Sequence, residues 1–463
     1  LGLITFIIFR GPRILVDERI LVAYSEIGTK GKSTRPKFER CLINNIKATG
    51  AKFKASRSGG HIILIPDSPK DVEVLKERLS RVFGVEYYAL MKQVAYSDLE
   101  DLADAVVKMY CDQIKGKVFR VTARTHETPG FGSMDVMRVV GARLVACGGK
   151  VNLKKYDMDV NINVRRNSAI VFDNMYRGPG GLPIGSEGNV LVLFSGGIDS
   201  PVAAWMSMRR GCRPLFLFVN LGGKDSLERA HAVYNKLCEL WGNGPFEFLV
   251  ADGTNIVQEI KACVSPAFRQ IVLKKSFYAL AGRVCRERKL DAVVTGESIG
   301  QVSTQTLKNM WGIQRGLDVL FIRPLAGMDK QEIIKTAQKI GTYDVSIDVG
   351  ELCNISKGSV KLSAKPWEVE KEFSKVAGVV NETDVTRVTL EPAAPSQKEK
   401  KIIDLDKESI NPAMLDKNKF YVIVCKDGVR ASLECDVLRG LGYDCTGMKR
   451  SALTKNKESY PSK

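Results

Sequence analysis

The sequence predicts a multidomain α/β protein, and three observations carry that expectation. The chain has 463 residues, too many for one ordinary core; at about 100–200 residues per domain, two to four domains follow. From Val190 onward, continuous apolar strands alternate with helices, the pattern of a buried, doubly wound parallel sheet. The stretches on either side mix half-buried strands with helices and are set off by Gly/Pro-rich or polar linkers, the pattern of small α+β units. The resulting division is 1–85 and 86–180 for two N-terminal α+β units, 181–380 for the parallel-sheet domain, 381–400 for a linker, and 401–463 for a small C-terminal α/β unit.

In the first unit, "ILVAY" (20–24) reads as a strand, followed by a Gly/Lys-rich loop and a helix over Arg35–Thr49. "HIILIP" (His61–Pro66) is a second strand. In "DVEVLKERLSRVFGV", Val72, Leu75, Leu79, Val82 and Phe83 share one helical face. In the second unit a helical pattern covers Ser97–Tyr110, and Lys117–Thr125 alternates like a strand. A further helix stops at Gly148-Gly149, and Asp159–Phe172 reads as a hairpin. Arg177–Gly188 is a Gly/Pro-rich linker.

The third unit supplies the strands "VLVLF", "PLFLFVNL", "FEFLVA" and "DAVVTG", with helices between them. Asn381–Lys401 is polar and rich in Pro and Lys, as linkers are. The last unit offers strands "IIDL" and "FYVIV", a loop, the helix "RASLECDVLRGLG" and a final strand. The tail after Met448 is rich in Lys and Ser, a composition prone to fraying. There is no internal repeat.

The net charge of +18 suggests a polyanionic partner. The excess is densest early: residues 1–180 carry 30 Lys+Arg against 19 Asp+Glu. None of the eleven cysteines forms a C-x-x-C pair, which argues against a zinc ribbon, a thioredoxin-type site or a local iron–sulfur motif. Most should be core thiols rather than a disulfide framework, which favours a reducing, cytoplasmic compartment. The opening "LGLITFIIF" is nine residues, against the ~20 of a membrane span, and its arginines follow the apolar run instead of preceding it. It reads as an extra strand or an overextended start. No longer apolar run occurs, so a soluble protein without a membrane partner is expected.

"VLVLFSGGIDSPVAAW" (Val190–Trp205) carries the chemistry. Gly196 and Gly197 let the backbone turn several N–H groups inward as a nest for anionic oxygens. The helix beginning near Asp199 adds its positive end. Ser195 and Ser200 offer hydroxyls, and Asp199 is placed to hold a magnesium ion against phosphates. The loop has no lysine for a β/γ bond. It therefore suits gripping a whole pyrophosphate while the α-phosphorus is attacked, giving an adenylate. "TGESIGQVSTQTLKNM" (Thr295–Met310) brings Gly296, Glu297, Gln301, Ser303 and Gln305 together after a strand. "RPLAGMDKQEIIKTAQKIGT" (Arg323–Thr342) sets Lys330 just before a helix, its charge pointing back to the sheet's C-terminal edge.

The string S-G-G-x-D-S matches the pyrophosphate loop of the adenine-nucleotide α-hydrolase-like ATPases. With "TGESIGQVSTQT" it resembles the tRNA 4-thiouridine synthetase family, the tRNA sulfurtransferases. "YSEIGTKGK…FE" resembles that family's ferredoxin-like segment, and "RTHE" with the 86–180 region resembles its RNA-binding THUMP module. The resemblance implies an enzyme that uses ATP to adenylate O4 of uridine 8 in tRNA, and replaces the oxygen with sulfur from a cysteine persulfide. Asp199 then serves adenylation and Lys330 matches a functional lysine. Cys353 in "YDVSIDVGELCNIS" matches a cysteine that reacts with the persulfide. Cys425 in "VIVCKDGVRAS" resembles the sulfur carrier of a rhodanese loop, with Arg430, nearby amides and the helix steadying a thiolate or persulfide. Cys435 and Cys445 read as structural. Only Asp406–Lys419 separate "IIDL" from "FYVIV", where an ordinary rhodanese domain has a much longer insert: either the C-terminal unit is a pared-down rhodanese, or the resemblance is local to the loop.

For tRNA, Lys30, Lys32, Arg35, Lys37, Arg120, Arg124, Arg143, Arg165 and Arg166 are candidates to track phosphates. The implied partners are tRNA and a cysteine desulfurase or other sulfur donor; the family is compatible with a homodimer. A parallel role in supplying sulfur to the thiazole of thiamine goes with the family, and no residue here decides it. Two alternatives stand beside this reading. An ATP-dependent amide or nucleotide ligase of the same ATPase group is disfavoured by the basic N-terminal half. A non-catalytic tRNA-binding protein is disfavoured by the intact loop and the two placed cysteines.

Overall fold

The computed structural model describes residues 14–453 except 59, 127–129, 167, 348, 350–359, 391–397 and 427, with 14–18 and 58 described by backbone alone. The chain divides into two compact units, Leu1–Pro183 and Ile184–Lys463.

The first unit is built on one nine-stranded sheet among the described residues. Its strands are β1 (Ile14–Ala23), β2 (Phe53–Ser58), β3 (His61–Pro66), β4 (Tyr87–Ala95), β5 (Val118–Thr125), β6 (Lys150–Val151), β7 (Met158–Arg165), β8 (Ser168–Phe172) and β9 (Tyr176–Arg177). The order is β2-β3-β1-β4-β8-β7-β5-β6, with β9 also on β4. β4 went unread in the sequence, yet it joins the two halves. It pairs antiparallel with β1 on one side and with β8 on the other. Helices α1 (Arg35–Lys47) and α2 (Pro69–Arg78) pack one core, with Leu42, Ile46, Leu75 and Leu79 fully buried. Helices α3 (Leu99–Ile114) and α4 (Ser133–Ala146) pack a second core around Phe119, Val140 and Leu144. The packing of α3 on α4 brings Cys111 to Cys147 as a disulfide, their Cα atoms 5.3 Å apart. It is an exception to the expectation that most cysteines are core thiols: the two cysteines are 36 residues apart, so no local spacing announces the pair.

The second unit carries a six-stranded sheet: β10 (Asn189–Leu193), β11 (Arg213–Asn220), β12 (Phe248–Asp252), β13 (Ala292–Val294), β14 (Phe321–Ile322) and β15 (Val385–Arg387). Its order is β14-β13-β10-β11-β12-β15. The first five strands are parallel; β15, inside the stretch expected to be a linker, adds antiparallel to β12. The chain winds outward from β10 through β11 to β12, then returns to start β13 on the other side of β10. The strand order therefore reverses between β10 and β13. In open α/β sheets, ligands bind in the crevice outside the carboxyl ends of the strands at such a point. The helices are α5 (Asp199–Arg209), α6 (Gly223–Trp241), α7 (Thr254–Cys263), α8 (Arg269–Arg288), α9 (Leu307–Gln314), α10 (Lys330–Ile340), α11 (Tyr343–Ser346), α12 (Pro366–Phe373) and α13 (Ala377–Glu382). The fully buried Lys275 on α8 donates to the carbonyls of Gly312, Ile313 and Arg315 at the end of α9, and pairs with Glu370 at 3.0 Å. These bonds satisfy a helix C-terminus that would otherwise be orphaned.

The C-terminal part is a three-stranded parallel sheet of β16 (Lys400–Asp404), β17 (Phe420–Cys425) and β18 (Asp444–Lys449), in that order, with helix α14 (Val429–Gly440) packed on it. The helix starts at Val429, one residue before the expected Arg430, so three residues separate it from Cys425. Among the described residues no helix is long and apolar enough to cross a membrane.

Candidate nucleotide site and cysteine loop

β10 is buried along Val190, Leu191 and Val192, and it delivers Phe194–Ile198 to the carboxyl edge of the sheet. Gly196 lies at φ +77°, a left-handed conformation that glycine alone adopts without cost. A Cβ on Gly196 would stand 2.8 Å from the Ala230 Cα of α6, so the loop lies directly on that helix. Pro201 falls in the first turn of α5, where its missing N–H costs nothing. The Ser195 N–H donates to Ser200 Oγ at 3.2 Å, which folds the loop back over the helix start. Gly296, in the segment after β13, passes so close that a Cβ there would lie 3.0 Å from the Ser200 nitrogen.

These elements line a cavity of about 160 Å³, with Ser195, Asp199 and Ser200 from the first loop and Thr295, Gly296, Glu297 and Gln305 from the second. Asp199 is the hub. Its Oδ1 accepts from Lys330 Nζ at 2.6 Å and its Oδ2 from Gln301 Nε2 at 2.9 Å. The structure thus gathers Ser195, Gly196, Asp199, Ser200, Gly296, Gln301, Gln305 and Lys330 at one edge. Gln305 is buried, and its Oε1 has no hydrogen-bond partner among the described residues. A buried acceptor beside a cavity is costly unless a ligand donor meets it. The left-handed glycine cradle, the helix start and this orphaned acceptor fit a nucleotide. For a metal, Asp199 stands alone: among the described residues no three His, Cys, Asp or Glu side chains gather to hold one.

Sequence reasoning named Glu297 but missed the groups that surround it at the floor of this site, Lys274, Phe277, Tyr278 and Arg323. Glu297 is 2 % exposed; it accepts from Tyr278 Oη, from Thr295 Oγ1 at 3.2 Å and from Arg323 Nε at 3.1 Å. Lys274 Nζ lies 3.7 Å from its other oxygen, and Lys274 and Phe277 also line the cavity. Burial, and then the Glu297 charge, push the Tyr278 phenol well above its ordinary range, so it stays a donor. The Arg323 guanidinium is held more firmly charged. Burial opposes this, but Tyr278 and Glu297 outweigh it. No local motif pairs Lys274, on a helix, with a carboxylate 23 residues on.

Cys353 lies outside the described residues. Cys425 ends β17 and is 2 % exposed. Its Sγ accepts the Gly428 N–H at 3.1 Å and the Ala431 N–H at 3.4 Å, an amide cradle at the start of α14. Arg430 donates to the Leu405 carbonyl and lies 3.5 Å from Asp406. Cys435 and Cys445 are buried in the core of the three-stranded sheet, the Cys445 thiol donating to the Cys435 carbonyl.

On the first unit, Lys32 and Arg124 are exposed, whereas Lys30 lies over the Phe38 ring at 4.8 Å. Arg35 donates to the Gly28 carbonyl at 2.6 Å. Arg120 is paired with Asp159 at 2.5 Å, and Arg143 is held by Glu100 and Asp104 across α3 and α4. Lys37, Arg165 and Arg166 are exposed.

Residues 185–377 match the family described as Thiamine biosynthesis protein (ThiI), residues 19–89 the ThiI ferredoxin-like domain, and residues 96–173 the THUMP domain. A probable tRNA sulfurtransferase of Aeropyrum pernix is 37% identical over 368 residues, covering 78% of this chain and 92% of that protein. A tRNA sulfurtransferase of Thermoplasma volcanium is 31% identical, covering 95% of this chain and 97% of that protein. The second alignment therefore includes most of the C-terminal sheet, which lies beyond the matched family segments. A solved 4-thiouridine synthetase–RNA complex with bound ATP is 28% identical with a TM-score of 0.70, over 80% of this chain and 100% of that one. With the pyrophosphate-type loop, the Asp199–Lys330 pair and the N-terminal modules in place, the chain belongs to the tRNA sulfurtransferase family.

Proposed function

We propose that this chain uses ATP to thiolate tRNA by adenylating O4 of uridine 8 and then exchanging that oxygen for sulfur, giving 4-thiouridine. The observation that carries the reading is the convergence of the glycine loop, Asp199, Gln301 and Lys330 at the point where the strand order reverses. The solved relative holding RNA and ATP supports both substrates.

O4 attacks the α-phosphorus and pyrophosphate leaves. The amides of Gly196 and Gly197, the Ser195 and Ser200 hydroxyls and the start of α5 receive the leaving charge. Asp199 holds the Lys330 ammonium at the mouth of the cavity, where a cation stabilises charge developing between the phosphates. Asp199 is the residue that would hold a magnesium ion, which would supply further neutralisation of the phosphate charge. Activation must come first, because a carbonyl oxygen is a poor leaving group and AMP a good one.

The sulfur arrives as a persulfide on Cys425, formed with a cysteine desulfurase or another donor. The Cys353 thiolate attacks the Cys425 sulfur, a Cys353–Cys425 disulfide forms, and hydrosulfide is released. Hydrosulfide attacks C4, the C4–O bond breaks and AMP departs. An external thiol then reduces the disulfide. The amides of Gly428 and Ala431 favour an anionic sulfur on Cys425. Lys32 and Arg124 position the tRNA through its phosphates. The setting proposed is the cytoplasm, and the same carrier would serve thiamine thiazole synthesis.

The test compares tRNA nucleosides by mass spectrometry with and without the protein, and measures tRNA-dependent pyrophosphate release. Asp199→Ala should stop release and spare tRNA binding; release persisting in that variant would overturn the adenylation role of the loop.

A further inference from the structure

Helix α6 touches two things at once. Its middle supports the phosphate loop, with Ala230 against Gly196. Its first turn grips the C-terminal sheet. Asp225, 1 % exposed at its side chain, accepts from Arg439 Nη2 at 2.5 Å, from the Gly447 N–H at 2.9 Å and from Thr446 Oγ1 at 3.3 Å. In return, Asp436 of α14 accepts the Lys224 N–H at 3.0 Å, satisfying one of the orphaned donors at the start of α6. Arg229, one turn on, donates to the Gly447 carbonyl and to Ser432 Oγ. The backbone N–H and C=O of Gly447 are therefore both taken up by α6.

The path from this grip to both chemical groups is short. From Asp225 to Ala230 is five residues, about 7.5 Å of helix. Gly447 pairs with Ile423 and Lys449 pairs with Cys425, so the gripped residue is two places along β18 from the level of the cysteine, about 7 Å. An exposed ion pair contributes little. Here the carboxylate is buried, three donors meet it, and a reciprocal helix cap completes the joint.

We infer that Asp225 and Arg439, with Asp436 capping α6, are positioning residues that lock the Cys425 sheet to the nucleotide unit, so that sulfur is delivered from a fixed module rather than a tethered one. This rests on Cys425 being the sulfur carrier. The joint predicts that sulfur delivery and adenylation can be uncoupled by residues that touch neither substrate.

The experiment uses the full chain, with Arg439→Gln and Asp225→Asn, charged with sulfur by a cysteine desulfurase and cysteine. tRNA-dependent pyrophosphate release should stay within twofold of wild type. Single-turnover thiolation from the persulfide should fall at least tenfold. Thiolation driven by sodium sulfide in solution, which bypasses the carrier, should match wild type. Persulfide-driven thiolation at the wild-type rate in both variants would overturn the inference. So would a parallel loss of sulfide-driven thiolation, which marks a general structural defect. Because removing one partner strands a buried charge, Asp225→Asn/Arg439→Met is measured too; it keeps the packing without the ion pair and should show the same split. Cys425→Ala runs alongside. If it retains persulfide-driven thiolation, the carrier assignment fails; if it is dead while the joint variants are unimpaired, the joint alone fails.

Discussion

Gly196 and Gly197 look equivalent in the string S-G-G-I-D-S, and the structure predicts that alanine will separate them. Gly196 sits at φ +77°, where an L-residue costs roughly 1–2 kcal/mol. Its new Cβ would also meet the Ala230 Cα at 2.8 Å and Cβ at 3.1 Å, backbone and stub of a packed helix with no side chain to swing away. Overpacking of that kind costs about 1–3 kcal/mol. The sum, roughly 2–5 kcal/mol, falls on the phosphate-binding shape of the loop, and each 1.4 kcal/mol is a factor of ten. Gly196→Ala should therefore lower kcat/KM for ATP from roughly 30-fold upward. Gly197 is not among the positive-φ glycines, and the nearest atom to its Cβ is Ser195 Oγ at 3.6 Å, an ordinary contact. Gly197→Ala should stay within about threefold of wild type. The assay is tRNA-dependent pyrophosphate release across ATP concentrations, with thermal melting to show that both variants are folded. Equal ATP dependence in the two variants would refute the left-handed cradle as the determinant of nucleotide binding.

Two further outcomes are expected. Cys425→Ser should leave pyrophosphate release intact and abolish thiolation from a persulfide donor, since serine keeps the amide contacts but cannot carry sulfur; unchanged 4-thiouridine would remove Cys425 from the reaction. Binding of tRNA should weaken steeply with salt. Lys32→Ala and Arg124→Ala should each reduce the slope of log K against log salt by about one. Arg143→Ala should leave the slope unchanged, because its charge is already met by Glu100 and Asp104. An equal slope change in all three variants would contradict that division of exposed and engaged cations.

What the sequence alone determined was local and periodic. Continuous apolar strands announced the parallel sheet, because a strand covered on both faces has no polar side to show. The two-glycine turn before a helix announced a sharp strand-to-helix loop, because its Gly196 position needs a residue without a Cβ. Lys330 was legible as a charge at the sheet's carboxyl edge, since the Asp-Lys pair sits at a helix start. Its partner was not: the Asp199 contact spans 131 residues, and only the return of the chain across β10 brings the two together. The same holds for Lys274, Tyr278 and Arg323 around Glu297, for Cys111 with Cys147, and for Asp225 with Arg439. β4 escaped notice because its burial follows no clean alternation, being covered on parts of both faces. Periodicity records which way a side chain points, and motif chemistry records what the backbone must do. Which distant charges meet, and which arginines remain open to a phosphate, is decided by packing, where each buried polar group must find its partner in space rather than in sequence.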